Sequence, residues 1–127
     1  ATLSAAAGCW PDRRKVVVFQ PHRFSRTRDL MDDFSSLLSD VDCLLVTEVY
    51  AAGEKPVASA DGRALCRSIR IRGGVDPVFA PNIDRLRETL LPLLQADDVV
   101  LTLGAGSIGK AARALISPIQ LCEESFG

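Results

Sequence analysis

Apolar and polar positions along the chain switch repeatedly between a strand-like and a helix-like rhythm. Lys15-Val16-Val17-Val18-Phe19 is a β-branched and aromatic run that predicts a buried strand over 15–20. Leu30, Phe34, Leu37, Leu38 and Val41 then recur at helical spacing and predict a helix from about Ser25 to Ser39. Cys43-Leu44-Leu45-Val46 reads as a second strand. A loop over 49–56 separates it from a helix running from about Ser59 to Arg70, which Arg72-Gly73-Gly74 ends. Pro77-Val78-Phe79-Ala80 predicts a third, short strand. The stripe Ile83, Leu86, Leu90, Leu93 and Leu94 predicts its helix, which Pro92 should kink or end. Asp98-Val99-Val100-Leu101-Thr102-Leu103 predicts a fourth strand, leading through Gly104-Ala105-Gly106-Ser107 to a helix with Ile108, Ala111, Ala112, Leu115 and Ile116 on one face. The Ala-rich first nine residues are expected to form one more helix over the sheet.

Strands that alternate with helices need crossover connections. The pattern therefore predicts an α/β fold in three layers, α/β/α, with a mostly parallel sheet, helices on both faces and right-handed crossovers. At 127 residues the chain is expected to be a single domain, 1–127, with no linker or internal repeat. A hydrophobic content of 47% supplies enough apolar material for a packed core. The formal net charge of −1 argues against nucleic acid or a membrane surface as a general partner. No apolar run approaches the roughly 20 residues of a membrane-spanning helix. The opening Ala1–Ala7 lacks the positive start of a signal peptide and carries no initiator Met, so a fragment or a processed product is expected. Cys9, Cys43, Cys66 and Cys122 show no metal-ligand spacing. Reduced, buried thiols and a cytoplasmic location follow as expectations, and with one His no metal site is expected.

Candidate chemistry concentrates where the first strand meets its helix. Pro21 stops the strand, and His22, Arg23, Arg26 and Arg28 follow at once. Ligands of open α/β sheets bind beyond the carboxyl ends of the strands, and planar guanidinium forks suit carboxylates or phosphates. The plainer alternative is a solvated face paired locally with Asp29, Asp32 and Asp33. Arginines are also unusual in a first helical turn, where the macrodipole favours acids, so an anion is expected to compensate them. A second strand-end loop holds Glu48, Tyr50 and Glu54, with Gly53 permitting a tight turn. Glu54 is a candidate for binding a substrate ammonium, and otherwise an exposed loop carboxylate.

The third loop matches two nucleotide motifs on paper. Gly104-Ala105-Gly106-Ser107-Ile108-Gly109 fits G-x-G-x-x-G, and Gly104 to Lys110 fits G-x-x-x-x-G-K. Position 111 is Ala, so the hydroxyl that would hold Mg²⁺ is missing, and the motif opens the last βα unit rather than the first. A glycine turn whose N–H groups face a ligand shared with other loops is the milder reading.

Four segments taken together resemble the C-terminal domain of the Mur ligases: Phe19-Gln20-Pro21-His22-Arg23-Phe24-Ser25-Arg26-Thr27-Arg28, Val46-Thr47-Glu48-Val49-Tyr50-Ala51-Ala52-Gly53-Glu54, Ala60-Asp61-Gly62-Arg63-Ala64-Leu65-Cys66, and Gly104-Ala105-Gly106-Ser107-Ile108-Gly109. The first segment is similar to the branch that joins L-alanine to UDP-N-acetylmuramate in peptidoglycan precursor synthesis. The likeness covers about residues 1–116, with Phe24 in place of a frequent Tyr and Glu48 in place of a common Asp.

The resemblance implies a Rossmann-like third domain of a three-domain enzyme. That enzyme phosphorylates the substrate carboxylate with ATP and Mg²⁺, and the alanine amine then attacks the acyl phosphate. It also implies that the third domain closes over the central ATPase domain and supplies the amino-acid pocket. By the same resemblance Arg26 pairs a substrate carboxylate with help from Arg23, and His22 orients the alanine. Tyr50, Glu54, Gly104, Ala105 and Gly106 complete the wall. ATP and Mg²⁺ would be held mainly by the central domain, which this sequence lacks along with the N-terminal UDP-binding domain, so the chain alone is expected to be inactive. The alternative is a stand-alone nucleotide- or phosphate-binding α/β module using the Gly104–Lys110 turn.

Overall fold

The structure, a computed structural model, describes residues 12–104 and 120–124. Five strands lie in one parallel sheet: β1 (Lys15–Gln20), β2 (Cys43–Thr47), β3 (Val78–Ala80), β4 (Val99–Gly104) and β5 (Gln120–Glu124). Their order is β3-β2-β1-β4-β5, and every pairing is parallel. Among the described residues the helices are α1 (Phe24–Asp29), α2 (Met31–Leu38), α3 (Gly62–Ile71) and α4 (Leu86–Leu90), with short 3₁₀ turns at Ala58–Ala60, Ile83–Arg85 and Leu91–Leu93.

Strand side chains point alternately to opposite faces, so each inner strand feeds two cores. Val17, Phe19, Leu44, Val46, Val99, Leu101 and Leu103 pack on one face against Phe34 and Leu38 of α2 and Leu65, Cys66 and Ile69 of α3. Val16, Val18, Leu45 and Val100 pack on the other against Leu86 and Leu90 of α4. The three layers expected from the pattern are therefore present, with a helix layer on each face. Phe19 and Phe34 meet at 5.1 Å between ring centroids in a tilted pair, a geometry worth about 0.5–1.5 kcal/mol beyond area burial. Burial pushes the Cys66 thiol up to about 11, so it stays protonated and inert at neutral pH. Cys43 is only partly buried, and both thiols are free.

Several boundaries differ from the expectation. The helix drawn as continuous over 25–39 is a kinked rod. Leu30, at φ −109° and ψ 15°, joins α1 to α2, while Leu30 N–H still donates to Arg26 and Phe34 N–H to Leu30. Leu37, assigned to the apolar face, is 41% exposed. Pro92 does break its helix: α4 stops at Leu90 and Pro92 sits in the 3₁₀ turn that follows. Leu94 is already extended, yet the whole stripe from Ile83 to Leu94 packs into the second core. Strand β5 is an addition to the four strands that the apolar pattern predicts. The Ala-rich helix over the first nine residues and the helix after residue 107 lie outside the described residues.

Helix α3 shows why a glycine starts it. Asp61 caps it by accepting from the Ala64 N–H at 2.8 Å. A Cβ on Gly62 would stand 2.6 Å from a ring carbon of Phe79 and 2.7 Å from the Thr47 carbonyl oxygen. The Thr47 contact is backbone of β2 and cannot swing aside. Gly62→Ala is expected to destabilise the chain by about 1–3 kcal/mol through overpacking, which a thermal unfolding comparison would read directly. An unchanged midpoint would contradict the close approach.

Candidate functional site

The chain runs outward from β1 to β2 and β3, then returns past β1 to β4. The strand order therefore reverses between β1 and β4, where open α/β sheets form a crevice beyond the carboxyl ends of their strands. Gln20 and Gly104 face each other at that edge. Gly104 takes φ 144°, a conformation favouring glycine. Ala105, Gly106 and the rest of the Gly104–Lys110 motif lie outside the described residues.

The loops leaving β1 and β2 are tied together immediately beyond the sheet. His22 and Tyr50 form an isolated parallel bridge. Tyr50 N–H donates to the Pro21 carbonyl and Arg23 N–H donates to the Tyr50 carbonyl, each at 2.8 Å. The two rings stack with centroids 5.6 Å apart and planes within 11°. Tyr50 is 41% exposed, so the stack is open to solvent beyond the strand ends. Arg23 is exposed at the start of α1, and Arg26 follows, half-buried, three residues on.

Glu54 fastens the far end of the same loop. Ala52 (φ 52°) and Gly53 (φ 89°) form a tight turn closed by the Glu54 N–H donating to the Ala51 carbonyl. The carboxylate then reaches α1, where Oε1 accepts from the Ser25 N–H at 3.1 Å and Oε2 from the Ser25 hydroxyl at 2.6 Å. This is the compensating anion that the arginine-rich first turn calls for, and the protein supplies it itself. Glu54 is therefore not a merely exposed loop carboxylate. The hydrogen bond from the Ser25 side chain, then that from its backbone, hold the Glu54 carboxyl below its ordinary value of 4.5.

A depressed carboxyl stabilises the fold above its unfolded value. The clasp is thus fully present above about pH 4.5 and is lost as the pH falls through the lower native value. Glu54→Gln is expected to flatten the acid limb of the stability profile, measured by thermal unfolding between about pH 3 and 7. An acid limb as steep as that of the parent would contradict the assignment.

The structure thus brings together five of the sequence candidates, His22, Arg23, Arg26, Tyr50 and Glu54, with Gly104 at the base of the same edge. Glu48 plays a part its loop position did not disclose. Its Oε1 accepts from Val49 N–H and from Gly62 N–H, both at 2.9 Å, tying the loop after β2 to the start of α3. A carboxylate at a strand end ahead of the Asp61-Gly62 helix start was the available signal. Among the described residues no three His, Cys, Asp or Glu side chains gather as a metal site requires, and no helix is long and apolar enough to cross a membrane.

Residues 1–106 match the family model described as Mur ligase, glutamate ligase domain, well over half of the chain. The chain belongs to the Mur ligase C-terminal domain family. The UDP-N-acetylmuramate–L-alanine ligase of Thiobacillus denitrificans (strain ATCC 25259 / T1) is 58% identical over 115 residues. That alignment covers 91% of this chain and 25% of the relative, so this Mur ligase domain spans about a quarter of the length of the curated protein it matches. The parallel sheet and the helix layers on both its faces fit the Rossmann-like architecture implied by the resemblance.

Proposed function

We propose that this chain is the C-terminal, amino-acid-binding and lid-forming domain of a UDP-N-acetylmuramate–L-alanine ligase. It would act in peptidoglycan precursor synthesis in the bacterial cytoplasm, with residues 1–127 as one domain. The observation that carries the reading is the tied pair of loops at the sheet edge, bearing His22, Arg23 and Tyr50, with Arg26 on the helix they lead into, in a chain 58% identical to such a ligase.

The chemistry suits those groups. Joining a carboxylate to an amino acid brings two anionic reactants together, and fixed cations lower the repulsion while orienting them. Arg26 pairs a substrate carboxylate through its planar fork, Arg23 assists, and His22, braced by Tyr50, orients L-alanine. Glu54 completes the wall by holding Ser25 and the start of α1, and Gly104 lets the backbone at β4's end approach the ligand closely.

ATP with Mg²⁺ supplies the activation of the carboxylate in such ligases. The described residues do not fit a metal centre, and this reading assigns both to a central domain outside this chain.

Joining the chain to the N-terminal and central domains of the related ligase should give L-alanine-dependent phosphate release from ATP. The chain alone should bind ATP weakly in calorimetry, because half a cleft cannot enclose its ligand. Tight ATP binding by the chain alone, with no ligation by the joined protein, would favour the stand-alone phosphate module instead.

A further inference from the structure

Arg23 stands in a backbone conformation that only glycine adopts freely, φ 67° and ψ 139°. Such a conformation persists in an L-residue only when its surroundings over-determine it. Three hydrogen bonds do so here. The Arg23 N–H donates to the Tyr50 carbonyl at 2.8 Å. The Arg23 carbonyl accepts twice from one residue, from the Thr27 N–H at 3.1 Å and from the Thr27 hydroxyl at 2.8 Å. Thr27 is fully buried beside Phe24 on the inner face of α1, whereas Arg23 is exposed. A glycine at position 23 would meet the backbone demand without strain, so the backbone gains nothing from an arginine there.

We propose that Thr27 is a positioning residue for the substrate-binding cluster: its buried hydroxyl locks the Arg23 carbonyl, and so fixes the direction in which the Arg23 guanidinium is presented to an anionic reactant. The proposal rests on the ligase reading above and adds to it a residue that itself never meets the substrate. A hydroxyl bonding back four residues is common within helices. Here the carbonyl it engages belongs to the residue that opens the helix, where the loop from β1 meets both α1 and the loop from β2. Losing the hydroxyl leaves two of the three restraints, and Arg23 is then free to relax toward an ordinary backbone region and swing its side chain away.

The test uses the chain joined to its N-terminal and central domains. Thr27→Val keeps the shape and the backbone bond but removes the hydroxyl. It is expected to raise the KM for L-alanine about tenfold, with kcat much less affected, as a misplaced positioning group does. Thr27→Ser should restore the affinity to within about twofold. In an Arg23→Ala background the Thr27→Val change should add less than about twofold, because the two act as one unit.

A Thr27→Val enzyme with unchanged KM, or a loss of equal size with and without Arg23, would overturn the inference. Full activity in Arg23→Ala would instead overturn the ligase-site reading for Arg23. A second measurement uses the chain alone. Arg23→Gly should melt about 2–4 °C above Arg23→Ala, since glycine relieves the strained backbone and alanine does not. Equal or reversed midpoints would show that no strain is held at position 23 and would remove the basis of the proposal.

Discussion

Arg26→Ala in a ligase assembled around this domain is expected to lower kcat/KM on the order of 10²-fold, about 2.7 kcal/mol of transition-state stabilisation. The reason is geometric as much as electrostatic. Arg26 lies half-buried on α1, whose start is held by Glu54 through Ser25 and by the Thr27 hydroxyl bonding back to the Arg23 carbonyl. Its fork is therefore presented from a fixed base, where a carboxylate can be paired through both oxygens. Arg26→Lys should retain the charge but lose the fork, and recover only part of the rate. Steady-state kinetics on the two variants separate a substrate-pairing role from a docking one. A cation that merely docks an acidic protein surface would leave ligase activity intact in Arg26→Ala.

The largest effect on stability is expected at the opposite edge of the sheet. There, ahead of β1 and β4, the Asp98 carboxylate accepts from the Arg14 Nε at 3.2 Å and Nη2 at 3.0 Å, and from the Gln95 N–H at 2.8 Å. The same Arg14 Nη2 also donates to the Leu93 carbonyl. The Asp98 side chain is 4% exposed and that of Arg14 27%, so a desolvated carboxylate is held by a bidentate, partly solvated guanidinium. The Asp98 hydrogen bond, opposed in part by burial, raises the Arg14 guanidinium above its ordinary value.

Arg14→Ala would leave a buried carboxylate with one backbone donor, a change that costs about 3–5 kcal/mol. For a domain of this size that lowers the melting temperature by about 10 °C or more. Asp98→Ala should cost a similar amount, and the double variant clearly less than the sum. Additive losses, or a shift of only a degree or two, would contradict the buried-pair account. Nothing at this edge touches the candidate site, so activity of the folded fraction should survive.

How much of this was legible in the sequence differs by element, for physical reasons. The strands β1, β2 and β4 are buried on both faces and read as unbroken apolar runs. The stripe from Ile83 to Leu94 keeps its helical phase even though only Leu86–Leu90 is α-helix and 3₁₀ turns flank it. Edge strand β5 was illegible because Gln120-Leu121-Cys122-Glu123-Glu124 carries charge and no apolar run. An edge strand needs neither a continuous apolar run nor freedom from charge.

At the site, strand-end position, residue type and the family resemblance mark His22, Arg23, Arg26, Tyr50 and Glu54 as candidates, and the structure sets them near one another. What position alone could not show was the partner of each. Glu54 looked available for a substrate ammonium, yet both its oxygens accept from Ser25. The Arg14–Asp98 pair spans 84 positions, and no local pattern announces it. The backbone of Arg23 was equally hidden, since nothing in His22-Arg23-Phe24 marks a positive φ where no glycine stands.

The central claim is that the edge beyond β1 and β2 holds the reactants of amide-bond formation. A crystal structure of the assembled ligase with UDP-N-acetylmuramoyl-L-alanine tests it most directly. The account predicts the product's alanyl carboxylate within hydrogen-bonding distance of the Arg26 or Arg23 guanidinium, beside the His22–Tyr50 stack. A product seated against another face of this domain, with both guanidinium groups turned to solvent, would contradict it.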